Sequence, residues 1–255
     1  MKRNIILSII LFLSCFSKLD AYAQDYKSDS AWKHSHKNIV RYNLSSALLF
    51  GIDKTFILGY ERVLKPNQSI SINAGTIVLP KIASISTDSF SLGKDLKNKG
   101  YNISLDYRFY LSKQNKYNAP RGIYIGPWYS FNRFMRDNGW DFINNSNQRY
   151  ATTNTEFNIH SFGAELGYQF ILWNRLALDF VMVGPGMGVY NVNSKIDSNL
   201  TEGEKEQLRQ ALADVISNRF PGMNYVFDGK ELNGSGKLNV TSLGFRYLIH
   251  IGFSF

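Results

Sequence analysis

Seven ionisable residues sit among aromatic and aliphatic neighbours at positions that share one face of an alternating chain: Arg41, Glu61, Asp106, Arg108, Glu165, Asp179 and Arg246. In extended backbone successive side chains point to opposite faces, so these residues fall on the face that also holds the glycines and serines, while Tyr60, Tyr107 and Phe245 fall on the other. The chemistry open to such a set is carboxylate–guanidinium pairing in an enclosed space, where each charge left unpaired is costly. Hydrolytic chemistry would need a base within reach of its proton. His160-Ser161 with Glu165 is the nearest candidate, but adjacent strand residues face apart, so His160 is expected to point outward and Ser161 and Glu165 inward. His34 and His36 could begin a metal site, yet no third and fourth ligands lie nearby in sequence. Gly184-Pro185-Gly186-Met187-Gly188 is followed by no helix, which favours a bend or bulge over a phosphate loop. No catalytic residue, cofactor or metal is expected.

The elements that must carry these charges are strands. A tilted strand crosses a membrane in roughly 9–11 residues, and eight segments alternate over about that length: Ile39 to Phe50, Thr55 to Leu64, Ser69 to Leu79, Gly100 to Leu111, Gly122 to Met135, Thr155 to Leu172, Arg175 to Tyr190 and Leu238 to Phe255. The last puts Phe245, Tyr247, Ile249, Ile251, Phe253 and Phe255 on one face. Soluble barrels carry apolar residues inside and polar ones outside. Here the charges share the crowded, glycine-bearing face, which predicts apolar residues outward toward lipid and a lumen laced by carboxylate and guanidinium groups.

The first residues read as an export signal: Lys2 and Arg3, the apolar run Ile5 to Leu13, then Ala21-Tyr22-Ala23 before Gln24. The run is far short of the roughly 20 residues of a spanning helix. Cleavage after Ala23 is expected, with acylation of Cys15 as the competing reading. Without the signal no cysteine remains, so disulfides and thiol chemistry are excluded from the mature chain. The domain reading is therefore a signal peptide at 1–23, a periplasmic lead at 24–37 and one barrel at 38–255.

The whole mature chain resembles the small eight-stranded outer-membrane barrels of the OmpA and OmpX type, and more narrowly short-barrel families of unknown function. The resemblance is carried by Leu58-Gly59-Tyr60-Glu61-Arg62, Asp106-Tyr107-Arg108-Phe109-Tyr110-Leu111, Pro120 to Pro127 and the terminal Gly252-Phe253-Ser254-Phe255. It implies an all-β, eight-stranded, antiparallel up-and-down transmembrane barrel in the outer membrane. It also implies that Tyr247, Ile249, Ile251, Phe253 and Phe255 form a C-terminal assembly signal, read by periplasmic chaperones and the barrel-assembly machinery.

With both termini in the periplasm, the inner turns are Lys65 to Gln68, Ser112 to Arg121 and Trp173-Asn174; the outer connections are Gly51 to Lys54, Pro80 to Lys99, Arg136 to Asn154 and Asn191 to Lys237. In the last, Thr201 to Glu204 forms a capping-box pattern before Leu208, Leu212, Val215 and Ile216 at helical spacing, which predicts one extracellular loop helix. It is either a lid over its own barrel or a docking surface for an extracellular ligand through the 191–237 loop. The formal net charge of +9 is read as ordinary solubility or as contact of Lys94, Lys97, Lys99, Arg133, Arg136, Arg149, Lys195 and Lys237 with lipopolysaccharide phosphates, alongside outer-membrane lipids; no nucleic-acid partner is expected. The functional expectation is a structural or surface-binding barrel with a filled lumen and no bulk pore. The alternatives are an outer-membrane lipid-modifying enzyme with active residues near the extracellular rim, and soluble ligand carriage.

Overall fold

The computed structural model describes residues 36–78, 90–142, 150–218 and 237–255. The stretch read as an export signal, Cys15, His34, Arg149 and the 219–236 part of the last long connection lie outside the described residues. Eight strands follow in chain order: β1 Asn38–Asn43, β2 Thr55–Lys65, β3 Gln68–Ile77, β4 Phe90–Tyr110, β5 Gly122–Phe142, β6 Ala151–Leu172, β7 Leu176–Ser198 and β8 Lys237–Ser254. Each pairs antiparallel with the next, and β1 pairs with β8, so the sheet closes into an up-and-down barrel. The closing seam is locked at the termini, where Asn38 and Phe255 exchange backbone hydrogen bonds of 3.0 and 2.8 Å.

The two faces of the wall differ as the alternation requires. Phe56, Leu58, Tyr60, Ile103, Leu105, Tyr129, Phe162, Phe245, Tyr247, Ile251 and Phe253 are exposed on the outside, whereas Arg41, Glu61, Asp106, Arg108, Glu165 and Asp179 are buried inside. The outward apolar face gives way along each long strand to polar residues: Lys99 and Lys97 on β4, Glu156 and Asn154 on β6, Lys195 and Asp197 on β7, Asn239 and Lys237 on β8. The barrel thus carries an outward apolar band around the half that holds the chain ends. No helix among the described residues is long and apolar enough to cross a membrane, which says nothing of strands.

Strand one departs from expectation. It ends at Asn43, and Leu44–Phe50 form a short helix, α1. The Asn43 side-chain oxygen accepts from the Ser46 N–H at 3.0 Å and from the Ser45 hydroxyl at 3.0 Å, the arrangement of an N-cap. The run Ala47-Leu48-Leu49-Phe50 also breaks the two-residue period a strand would need. Leu44 to Phe50 therefore do not continue the strand expected over Ile39 to Phe50. At the other extreme, β4 to β7 run far past the expected ends, so much of the sequence read as outer connections is strand, with bulges in β4 between Leu92 and Lys94 and between Asp95 and Lys97. The wall is consequently tall along β4 to β8 and low along β1 to β3. Among the described residues, β8 above His250 pairs only with β7, and β4 before Tyr101 only with β5.

The turns at the end that holds the termini fall where expected. Trp173 and Asn174 take positive φ of 49° and 59°, as a two-residue hairpin turn matched to strand twist requires. The longer connection before β5 is tied down by Asn115, whose side chain bonds both backbone groups of Ile123 at 2.8 Å, and by the Ala119 N–H donating to the Pro66 carbonyl at 2.7 Å. Its length has a use: Ala119 packs with Val63, Tyr110 and Tyr124 to fill that end of the lumen.

Candidate functional site

Above that apolar floor the lumen holds a layer of paired charges. Arg41, from β1, donates through Nη1 to Asp179 at 3.1 Å, through Nη2 to Asp106 at 3.1 Å and Ser71 at 2.8 Å, and through Nε to Asn73 at 3.0 Å. Arg108, from β4, reaches Asp179 at 2.8 Å and Gln169 at 2.9 Å, lies 3.5 Å from both Glu61 and Glu165, and covers the Tyr124 ring. Arg246, from β8, bonds Asp106, with Glu165 at 3.4 Å. All seven residues singled out by alternation thus meet in one layer. Sequence reasoning missed His250, whose Nδ1 lies 3.1 Å from Asp179, although it sits on the same face of β8. It also missed the hydroxyls that complete the carboxylates: Ser69 and Tyr110 on Glu61 at 2.6 and 3.0 Å, and Tyr124 on Asp179 at 2.7 Å.

Room for these long side chains is made by glycine on the flanking strands. Arg41 lies opposite Gly59 of β2 and Gly252 of β8. A Cβ on Gly59 would stand 2.1 Å from Asn73 Oδ1, and one on Gly252 would stand 2.9 Å from Arg41 Cβ. The glycine-rich stretch of β7 behaves similarly: its bulge falls at Met182 and Val183, and Gly184 faces Arg246.

Beyond the charged layer lies a cavity of about 320 Å³, lined by Asn43, Asn102, Ser104, Ser130, Asn132 and Ser161 together with Trp128 and Arg246. A second apolar cluster, including Ile77, Phe134, Phe157, Tyr190 and Val240, occupies the lumen farther from the chain ends. The cavity is also bordered by Ser45, Ser46 and Leu49 of α1 and by Phe245 and Tyr247 of β8, all at the seam.

The structure does not join His160 to Ser161 or Glu165. His160 lies on the outward face, where its Nδ1 is 2.8 Å from the Tyr129 hydroxyl and its ring packs on Phe131, while Ser161 borders the cavity. Among the basic residues read as lipid-phosphate contacts, Lys97, Lys99, Lys195 and Lys237 are exposed beyond the apolar band, and Arg133 pairs with Glu156. Arg136 is a correction: it points into the barrel and is buried, with Nε donating to Asn138 at 3.1 Å. Of the terminal residues, Tyr247, Ile251, Phe253 and Phe255 stand exposed on the outside, with Ile249 partly covered.

The expected loop helix is present as α2, Glu202–Asn218. Thr201 and Glu204 form the reciprocal capping box: Glu204 Oε2 accepts from the Thr201 N–H at 3.0 Å, and Thr201 Oγ1 accepts from the Glu204 N–H at 3.4 Å. Leu208 is fully buried. The side chains of Leu212, Val215 and Ile216 lie outside the described residues.

No family model and no curated protein matches the chain. Among solved structures it is similar to a major outer membrane protein from Thermus thermophilus, at 12% identity over 87% of this chain and 100% of that one, with a TM-score of 0.33. It is also similar to CarO2 of Acinetobacter baumannii, at 10% identity over 86% of this chain and 98% of that one, with a TM-score of 0.35. The fold assignment rests on the strand pairing and not on these likenesses.

Proposed function

We propose that the chain is an outer-membrane β-barrel of the cell envelope with a structural or surface-binding role, exported by a cleaved signal peptide. The observation that carries the reading is the inversion of the wall, with Phe56, Leu105, Phe162 and Phe253 exposed outside and Arg41, Arg108, Asp106 and Asp179 buried inside. In water that arrangement would leave a continuous apolar belt unpaired with anything; in a bilayer the belt meets hydrocarbon, and strand pairing satisfies the backbone around the wall except along β8 above His250, where α1 stands in place of a strand. Among the described residues, the charged layer and the apolar clusters above and below it block the lumen on either side of the cavity, which supports a barrel without a bulk aqueous path. Lys97, Lys99, Lys195 and Lys237, exposed beyond the belt, would meet lipopolysaccharide phosphates in this reading. Assembly would draw on periplasmic chaperones and the insertion machinery through the strand ending at Phe255, and α2 offers either a lid or a docking surface for an extracellular ligand.

Membrane fractionation with heat-modifiable gel mobility tests the compartment and the fold together. Recovery of the folded chain in the aqueous fraction without detergent would sink the proposal. Planar-bilayer recording tests the filled lumen, and a large stable unitary conductance would count against it. The competing reading as a lipid-modifying enzyme needs a base beside a nucleophile, whereas His160 is engaged by Tyr129 on the outer face. Mass spectrometry of lipid A incubated with the protein separates the two readings.

A further inference from the structure

We infer that the cavity above the charged layer binds the head group of an uncharged, single-chain, monoacylglycerol-like amphiphile, which enters sideways through the seam between α1 and β8. The inference rests on the membrane reading above.

The route follows from the short first strand. Because β1 stops at Asn43, β8 above His250 has no strand on that side; α1 lies there instead, with the Ser45 hydroxyl accepting from the Ile249 N–H at 3.2 Å. A strand seam would be held by a ladder of backbone bonds, but a seven-residue helix resting on a sheet edge leaves a gap bordered by Leu49, Phe245 and Tyr247. All three are exposed, and they stand at the height of the apolar belt. Among the described residues, ion pairs lie on one axial side of the cavity and the cluster around Phe134 and Tyr190 on the other. The seam is the side of the cavity that faces hydrocarbon.

The chemistry of the lining selects the head. Asn102, Ser104, Ser130, Asn132 and Ser161 offer neutral hydroxyl and amide groups. Trp128 and Arg246 also line the cavity, although their Nε1 and Nη2, which have no hydrogen-bond partner among the described residues, have almost no accessible surface of their own. The hydroxyl and amide side chains of the lining can both donate to and accept from the ester carbonyl and hydroxyls of an uncharged head. An anionic head fits less well, because the adjoining layer already sets four carboxylates, Glu61, Asp106, Glu165 and Asp179, against three guanidiniums. A cavity of about 320 Å³ suits a glycerol ester head and not a whole two-chain lipid.

The test uses the full-length mature protein in phosphatidylcholine nanodiscs with a monoacylglycerol carrying a photoreactive diazirine beside the glycerol. Adducts are expected on the lumenal residues of β4 and β5 around Asn102 to Ser104 and Ser130 to Asn132. Unlabelled monooleoylglycerol should suppress them. They should fall at least tenfold in Ser130→Phe and, separately, in Ser161→Leu, each of which fills the cavity without touching the ion pairs. Adducts confined to outward-facing residues and unchanged in both variants would overturn the inference, as would equal competition by oleate, which would assign the site to anions. Heat-modifiable mobility of each nanodisc sample reports insertion independently. A chain that fails to insert refutes the membrane reading, whereas an inserted barrel labelled only on its outside refutes the cavity ligand alone.

Discussion

Arg108 Nη2 donates to Asp179 Oδ2 at 2.8 Å although β4 and β7 are separated by two intervening strands, so the contact crosses the lumen. It ties opposite walls of the barrel together in a place with no access for water, and both partners have additional hydrogen bonds. Removing one partner of a buried pair leaves the other charge uncompensated, which costs far more than the pair contributes relative to apolar packing.

Arg108→Met is therefore expected to destabilise the folded barrel by about 3–5 kcal/mol. Urea titration in detergent, read by the loss of the compact gel form, measures it. An effect below about 1 kcal/mol would mean that the layer relaxes around the missing cation and does not brace the wall.

The glycine opposite Arg41 is a second position where close packing can be tested. A methyl group on Gly59 would collide with Asn73 Oδ1, the acceptor for Arg41 Nε, and press on Arg41 Cγ at 3.0 Å. Gly59→Ala is expected to cost about 1–3 kcal/mol by overpacking, whereas alanine at Gly203, which has open space around it, should change barrel stability little. The same urea titration compares the two.

These relationships show what could be read from sequence and what could not. Alternation is local, so each strand announces its own faces, and Arg41, Glu61, Asp106, Arg108, Glu165, Asp179 and Arg246 could be placed inside before any strand was paired. Which of them meet depends on register, a non-local property; Arg41 reaching Asp106, Asp179 and Asn73 needs four strands aligned at once. His250 was on the right face yet carried no local sign of its partner. The end of β1 was legible in principle, because Asn43 is a good N-cap and Ala47 to Phe50 lose the two-residue period, but Val40, Tyr42 and Leu44 outweighed it. The cavity was not legible, since it follows from the unequal heights of strands whose polar outer parts look like loop sequence.

Leu105 tests the belt directly. It is exposed on the outer face of β4, paired in register with Ile72 and Tyr129, which are also exposed. Near the middle of a bilayer Leu105→Arg is expected to cost about 2–4 kcal/mol, falling toward zero nearer the interface. The control is Lys97→Ala, beyond the belt. Folding yield into lipid vesicles at graded urea measures both, and a tolerated arginine at 105 would argue that this face is not in hydrocarbon.

Helix α2 supplies a prediction about pH. Its first turn carries Glu202, whose carboxyl is held below the ordinary glutamate range by a hydrogen bond and the charge of Lys205, and the Thr201–Glu204 box satisfies two backbone N–H groups that the helix itself cannot. A carboxyl whose pKa is lowered by folding contributes stability above its unfolded value and loses that contribution as pH falls through the folded one. Amide exchange in 202–210 should thus accelerate relative to the barrel strands on acidification below the glutamate range. Thr201→Ala should accelerate it already at neutral pH, by about fivefold for a cap worth roughly 1 kcal/mol. If Leu208 is buried because α2 closes over its own barrel, the same substitution should also loosen the far ends of β6 and β7. Exchange that changes in α2 alone, with β6 and β7 unaffected, would instead make the helix an independent unit, free to present its surface to a partner.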